Sequence, residues 1–134
     1  MLEPGETAEA SFVAGDGDMA SALSVSTEDS FPEVFATSRM IALMELAAAR
    51  LMKRIVGPQQ LSVGVGVYIK HLAATPNRTR VSAVATFLGM EGKLYKFKVE
   101  AFDPAGKIGE GEHTRAIIDA KRLVAGAQKR FADG

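Results

Sequence analysis

One acidic side chain stands inside the most apolar stretch of the chain, and its position is the first sign of chemistry. The stretch VFATSRMIALMELAAARLM (residues 34–52) has a helix-forming composition, with Glu45 near its middle. Each helical residue advances by about 100°, which places Glu45 about 120–140° from Arg39 and Arg50 on the solvent stripe. A carboxylate buried without a partner is costly, so this acid needs a partner from another element, a proton or a wet cavity.

A histidine, which could be the partner of this acid, and a threonine are expected on the same side of the helix. In LSVGVGVYIKHLA (residues 61–73) the odd positions are aliphatic up to His71, so the odd phase is expected to face the core and the helix. Thr37 adds a hydroxyl at the helix start. A hydroxyl, a carboxylate and an imidazole on inward faces can position water or a nucleophile for acyl transfer. Taken singly, each also has a structural explanation, such as a hydrogen-bonded core histidine or a surface glutamate.

Other residues are weaker candidates for a site. Gly64 and Gly66 indicate a bulge in their strand or a close backbone approach to a ligand. His113 and Arg115 share one face of a later strand, where Arg115 could bind an anion or form an ion pair, and the ion pair is favoured. The glycines near them follow a turn within a strand, which is unlike a phosphate-binding loop. The chain has no GxSxG elbow either.

The composition argues against several classes of protein. The 134 residues fit a single domain, residues 1–134, and the zero net charge argues against a nucleic-acid binder. The lack of cysteine excludes disulfides and thiolate sites, and the two histidines have no zinc-ligand spacing. No apolar run reaches the ~20 residues of a membrane span, and the acidic start of the chain does not resemble a signal peptide. We therefore expect a cytoplasmic protein with no membrane or nucleic-acid partner.

The elements that must position these residues can be read from the hydrophobic pattern. The expected order is two short strands, one apolar helix, four longer strands and a short terminal helix: 7–14, 20–26, 37–55, 61–73, 80–90, 93–102, 108–118 and 119–131. Thr37 or Ser38 is the expected helix cap. Short links between the last four strands indicate antiparallel pairing.

The expected order of elements predicts both the fold and an oligomer. A helix this apolar must be buried, and an antiparallel sheet with one apolar face can cover it. The pattern therefore predicts an α+β hot-dog fold, in which an antiparallel sheet wraps around one long central helix. One such unit leaves an apolar flank and an open sheet edge, which predicts a homodimer.

Four motifs resemble the fluoroacetyl-CoA thioesterase-like family of hot-dog proteins. They are FPEVFAT at 31–37, LME at 43–45, HLAATP at 71–76 and GEGEHTRAII at 109–118, and the resemblance extends from about residue 5 to residue 125. It implies an acyl-CoA thioesterase that acts as a homodimer, possibly a tetramer, with its pocket near the dimer interface. It implies no cofactor, because coenzyme A is part of the substrate.

The resemblance also assigns the site residues. The catalytic residues of the family correspond to Thr37, Glu45 and His71, and the substrate-binding residues correspond to Phe31 in a lid segment, Phe35, Gly64 and Arg115. His71 would orient or deprotonate water, Thr37 would position the reacting groups, and Glu45 would be the base or the nucleophile. The sequence leaves open whether water attacks directly or Glu45 forms an anhydride.

The chain departs from the family pattern beside the acyl pocket. Ser38 and Arg39 follow the threonine, where the family has a glycine and an aromatic residue, and LAAA at 46–49 replaces bulkier residues. The acyl group of the family is therefore not carried over to this chain. The main alternative is a non-catalytic dimer that binds acyl-CoA. A hot-dog hydratase is a weaker alternative, because HLAATP lacks the expected aspartate–histidine signature.

Overall fold

Five antiparallel strands form one sheet, and a long helix packs on its inner face. The structure is a computed structural model that describes residues 1–133. The strands are β1 (Thr7–Val13), β2 (Gln60–His71), β3 (Arg80–Glu91), β4 (Leu94–Asp103) and β5 (Gly106–Asp119). Helix α1 spans Thr37–Met52 and helix α2 spans Ala120–Asp133. The strand order in the sheet is β1-β3-β4-β5-β2.

Helix α1 provides one side of the hydrophobic core. Its buried side chains are Met40, Leu43, Met44, Ala47, Ala48, Leu51 and Met52. They pack against inward-facing residues of the sheet, mostly on β1 and β3. Burying each of the larger side chains stabilises the fold by roughly 1.5–3 kcal/mol. Among the described residues, no helix combines the length and the hydropathy that a membrane crossing needs.

The ends of α1 differ from those expected. The helix ends at Met52 rather than residue 55, because the chain turns through residues 53–55 before Gly57. Ala36 is the N-cap residue, and its side chain makes no capping hydrogen bond. The expected caps, Thr37 and Ser38, therefore lie inside the helix, and the Thr37 hydroxyl is free for another partner.

The strand expected at residues 20–26 is absent, and that prediction is wrong. Short 3₁₀ turns occupy Asp16–Asp18 and Ala20–Leu23 instead. The backbone N–H groups of Ala20 and Ser21 donate to the carbonyls of Val34 and Pro32, 2.8 and 3.0 Å away. These hydrogen bonds fix the segment against the chain that leads into α1 and leave no strand partner.

Strand pairing follows the prediction in part. β3, β4 and β5 pair antiparallel in sequence order. β2 does not pair with the following strand β3; it pairs with β5, while β1 takes the place beside β3. The residues between β2 and β3 therefore cross from one side of the sheet to the other. As a result, β2 lies at one edge of the sheet and the shorter β1 lies at the other.

A bulge in β2 changes which side chains face α1. The register with β5 shifts between Gly64 and Gly66, which leaves Val65 as the extra residue. After the bulge, Ile69 and His71 face the helix, as predicted. Before it, the even position Ser62 faces inward, and the odd position Leu61 is 57% exposed. The prediction that odd positions face the core along the whole strand is therefore wrong for the first half of β2.

Candidate active site

Thr37 and His71 meet where the start of α1 lies against the end of β2. Thr37 Oγ1 lies 2.7 Å from His71 Nδ1. The main chain before α1 is fixed to the loop after β2, because Phe35 N donates to Thr75 O at 2.9 Å. Thr75 is fully buried, and its hydroxyl donates to Asp103 Oδ2 at 2.7 Å. These contacts place the helix start and the strand end together, as the sequence predicts.

His71 has a free nitrogen at this position. Burial lowers the pKa of His71 below its ordinary value of 6.5, so the neutral imidazole is the favoured form. Its Nδ1 contacts the Thr37 hydroxyl, while Nε2 is buried and has no hydrogen-bond partner among residues 1–133. A buried polar atom without a partner is costly. Nε2 therefore has hydrogen-bonding capacity that the described residues leave unused.

A cleft of about 460 Å³ lies beside the Thr37–His71 pair. It is lined by Ala20, Pro32, Val34, Phe35, Thr37, His71, Leu72, Ala73 and Ala74. The Phe35 ring is buried against Phe12, at a centroid distance of 6.1 Å. Phe31 is 51% exposed and is not among the lining residues. Of the two expected pocket phenylalanines, the structure places Phe35 at the cleft and Phe31 on the surface.

Glu45 lies in a second polar cluster. It is eight residues after Thr37, and a rise of 1.5 Å per residue separates the two by roughly 12 Å along α1. Its carboxylate pairs with Arg115, with 3.3 Å between Oε2 and Nη1, and its side chain is 41% exposed. The expectation that His71 partners this acid is therefore wrong within one protomer, because β5 supplies the partner. The favoured ion pair of Arg115 is confirmed.

Gly64 and His113 complete the surroundings of Glu45. A Cβ atom built on Gly64 would lie 2.9 Å from Glu45 Oε2 and 3.2 Å from His113 Cε1. His113 is buried, and its Nε2 lies 3.1 Å from Arg115 Nη1. Of the two explanations expected for these glycines, the bulge is confirmed, and the close approach at Gly64 is to the acid rather than to a ligand. The absence of a side chain at this position makes room for the carboxylate.

Sequence reasoning missed three residues of these two clusters. Ser62 accepts from Arg115, and Thr75 and Asp103 hold the loop after β2. No sequence signal singles out Thr75 or Asp103, because their pairing depends on how two distant loops meet. Ser62 could have been found, since a bulge at the glycines inverts the alternation and turns the even positions inward.

The comparisons with known proteins agree on one family. A family model described as fluoroacetyl-CoA-specific thioesterase matches residues 18–121. The fluoroacetyl-CoA thioesterase of Streptantibioticus cattleyicolor is 36% identical over 104 residues, which are 78% of this chain and 75% of that protein.

Solved structures show the same architecture. A phenylalanine-to-alanine mutant of the fluoroacetyl-CoA-specific thioesterase FlK has a TM-score of 0.90 and 32% identity, covering 97% of this chain and 98% of that one. The same mutant in complex with fluoroacetate and CoA has a TM-score of 0.85 and 34% identity, covering 91% of this chain and 99% of that one. These matches confirm the predicted α+β hot-dog fold.

Proposed function

This chain belongs to the fluoroacetyl-CoA-specific thioesterase family, and on that premise we propose that it hydrolyses a small acyl-CoA with Thr37, Glu45 and His71. Membership makes it an acyl-CoA thioesterase, a thioester hydrolase. The observation that carries the proposed site is the 2.7 Å contact between Thr37 and His71, which leaves His71 Nε2 free. The cleft beside this pair gives a thioester access to both residues.

The proposed chemistry divides the work among the three residues. Neutral His71 orients or deprotonates water through Nε2, and the Thr37 hydroxyl positions the thioester carbonyl or the attacking group. Glu45 acts as general base or as nucleophile. The backbone N–H groups of Thr37 and Ser38, the first two residues of α1, have no partner within the helix and would stabilise the oxyanion. The C–S bond then breaks and the CoA sulfur takes up the proton. These groups suffice for acyl transfer, so the proposal includes no cofactor.

In the proposed enzyme, a homodimer brings Glu45 close to a Thr37–His71 pair, which a single protomer does not do. Within one protomer, Glu45 is roughly 12 Å along α1 from Thr37, which is too far for one reacting carbon to contact both. β2 is a sheet edge, and its exposed apolar residues include Leu61 and Val65. We place a second copy on this edge, so that the Glu45 cluster and the Thr37–His71 pair of different protomers share one pocket. A tetramer would be two such dimers, and a cytoplasmic location is part of the same proposal.

The acyl group is proposed as small, without a fluoroacetyl assignment. Arg39 follows the site residue Thr37 by two positions in the sequence. Its side chain is 48% exposed, and its Nε lies 3.9 Å from Asp18 Oδ1. Leu46 is 43% exposed. Both differ from the family at positions next to site residues, so a panel of short, branched and aromatic acyl-CoA thioesters is the appropriate substrate screen.

Substitution of Glu45 and His71 tests the proposed site. With the best substrate of that panel, Glu45→Gln should lower kcat/KM by roughly 100-fold, the scale for loss of a general base. His71→Ala should also lower it, and the double variant should lose much less than the product of the two effects, because the groups act as a unit. Glu112→Gln removes an exposed carboxylate of β5 and is the matched control. Full activity of a folded Glu45→Gln enzyme would refute the proposal.

A further inference from the structure

Arg115 is held at every nitrogen of its guanidinium. Nε donates to Ser62 Oγ at 2.9 Å and Nη2 donates to Ser62 O at 2.9 Å. Nη1 lies 3.1 Å from His113 Nε2 and 3.3 Å from Glu45 Oε2. The side chain is 7% exposed. Of these partners Glu45 alone carries a charge, so it is the group that compensates the buried cation.

The hydrogen bonds of His113 fix its tautomer. Nδ1 lies 2.8 Å from the carbonyl oxygen of Gly66, and a carbonyl can only accept, so Nδ1 carries the proton. In the neutral ring, Nε2 then has a lone pair that accepts from Arg115 Nη1. Protonation of Nε2 would place two donors face to face. Burial, followed by the charge of Arg115, lowers the pKa of His113, which keeps this lone pair available.

The bulge in β2 makes this arrangement possible. It brings Ser62 onto the inner face before the extra residue, and it brings the Gly66 carbonyl to His113 after it. Gly64, which pairs directly with Arg115 across the strands, leaves the space that the Glu45 carboxylate occupies. A regular strand would turn either Ser62 or the second half of β2 to the opposite face. The bulge therefore lets both ends of one strand support the cluster.

We propose that Ser62 and His113 are positioning residues, which clamp Arg115 so that its Nη1 fixes the Glu45 carboxylate for thioester hydrolysis. The Arg115 side chain is 7% exposed, whereas the Glu45 side chain is 41% exposed, so Arg115 is the buried member of this ion pair. Arg115 contacts Oε2, so the other carboxylate oxygen, Oε1, is the one not paired with Arg115. This inference rests on the proposed role of Glu45, because a clamp that orients an inert acid would have no effect on the rate.

A double-mutant cycle separates positioning from a structural role. His113→Phe keeps a ring beside Phe97, 6.5 Å away between centroids, and removes both hydrogen bonds. It should lower kcat/KM about 10-fold or more, because a hydrogen bond to a charged group is lost. In the Glu45→Gln background the same change should have little further effect.

His113→Gln can donate to Gly66 O and accept from Arg115 with one amide, so it should recover most of the rate. Ser62→Ala, which keeps the carbonyl acceptor, should lower the rate less than His113→Phe.

An NMR measurement tests the clamp without reference to catalysis. The Nη1–H proton of Arg115 that donates to His113 should exchange slowly in the wild-type protein and in His113→Gln, and fast in His113→Phe. If this signal changes as expected but a folded Glu45→Gln enzyme is fully active, the proposed function is wrong and the clamp is only structural. If Glu45→Gln is impaired and His113→Phe keeps the full rate, the positioning role is wrong. An equal loss from His113→Phe in both backgrounds would also overturn it.

Discussion

At Gly64 a side chain would collide with two residues of the Glu45 cluster. A Cβ there would lie 2.9 Å from Glu45 Oε2 and 3.2 Å from His113 Cε1, so one of the two side chains must shift. Because Glu45 is at the more exposed end of its ion pair, it should be the group that moves. We expect Gly64→Ala to lower kcat/KM by about 10-fold, the effect of a small misplacement at a reacting centre. Steady-state kinetics and thermal melting would measure both the rate and the fold.

The matched control for that change is Gly17→Ala. No atom lies within 4 Å of a Cβ built on Gly17, so this variant should keep the full rate. Equal activity of Gly64→Ala and Gly17→Ala would show that the exact place of the Glu45 carboxylate does not matter.

The two histidines should make stability depend on pH. Burial lowers the pKa of both His71 and His113 from the ordinary 6.5, so the unfolded chain binds protons that the folded chain does not. The free energy of unfolding should therefore be highest above about pH 7 and should fall as the pH drops from 6.5 toward the lowered pKa values. His113→Gln should flatten part of this decline. Denaturant unfolding at a series of pH values would check it, and an unchanged pH slope in the variant would contradict it.

Among the elements, the loop after β2 depends on one buried hydroxyl. Thr75 is 0% exposed, and it donates to Asp103 while its carbonyl accepts from Phe35. Thr75→Val keeps the shape and leaves the Asp103 oxygen without this donor. The variant should lose about 1.5–3 kcal/mol of unfolding free energy, the net contribution of a hydrogen bond to a charged group. Its kcat/KM should fall as well, because the same loop sets the distance from Thr37 to His71.

Thr79→Val is the comparison for the loop. The Thr79 hydroxyl donates at 3.3 Å to the Asn77 carbonyl, close by in sequence, and does not bridge two elements. Chemical denaturation should show a clearly smaller loss for Thr79→Val than for Thr75→Val. Similar losses from both changes would mean that the bridge to Asp103 does not hold the loop.

Local patterns predicted the elements better than they predicted the neighbours of each element. The apolar composition of α1 and the alternation in β3, β4 and β5 identify these elements, because core burial acts on each segment directly. The inward faces predicted for Glu45 and His71 favour a contact between these two residues. Two inward residues can still lie two helical turns apart, and the pairing with Arg115 depends on how β5 crosses α1. The Thr37–His71 contact is easier to predict from the sequence, because Thr37 begins α1 and His71 ends β2.

At the scale of the whole molecule, the two edges of the sheet are unequal. β1 has 7 residues, whereas β2 has 12 and presents unpaired backbone groups beside exposed side chains such as Val65 and Tyr68. Long edges of this kind pair with another chain unless they are protected. In a two-fold dimer the same patch meets itself. The β2 edge is therefore the expected contact between two copies.

We expect the wild-type protein to be a dimer at micromolar concentration and expect Val65→Lys with Tyr68→Lys to separate it. A two-fold contact through β2 would bring the new charges of the two copies close together, and the apolar contact area would be lost as well. Val13→Lys, at a 52% exposed position on the β1 edge, is the matched control and should stay dimeric. Light scattering would give the mass of each variant.

The same β2 variant tests whether the site needs both copies. If it does, the separated protein should still fold, as shown by circular dichroism. Its kcat/KM should fall by about 100-fold, as when the general base is removed. A wild-type monomer, or a monomeric β2 variant with the full rate, would show that one protomer carries the complete site.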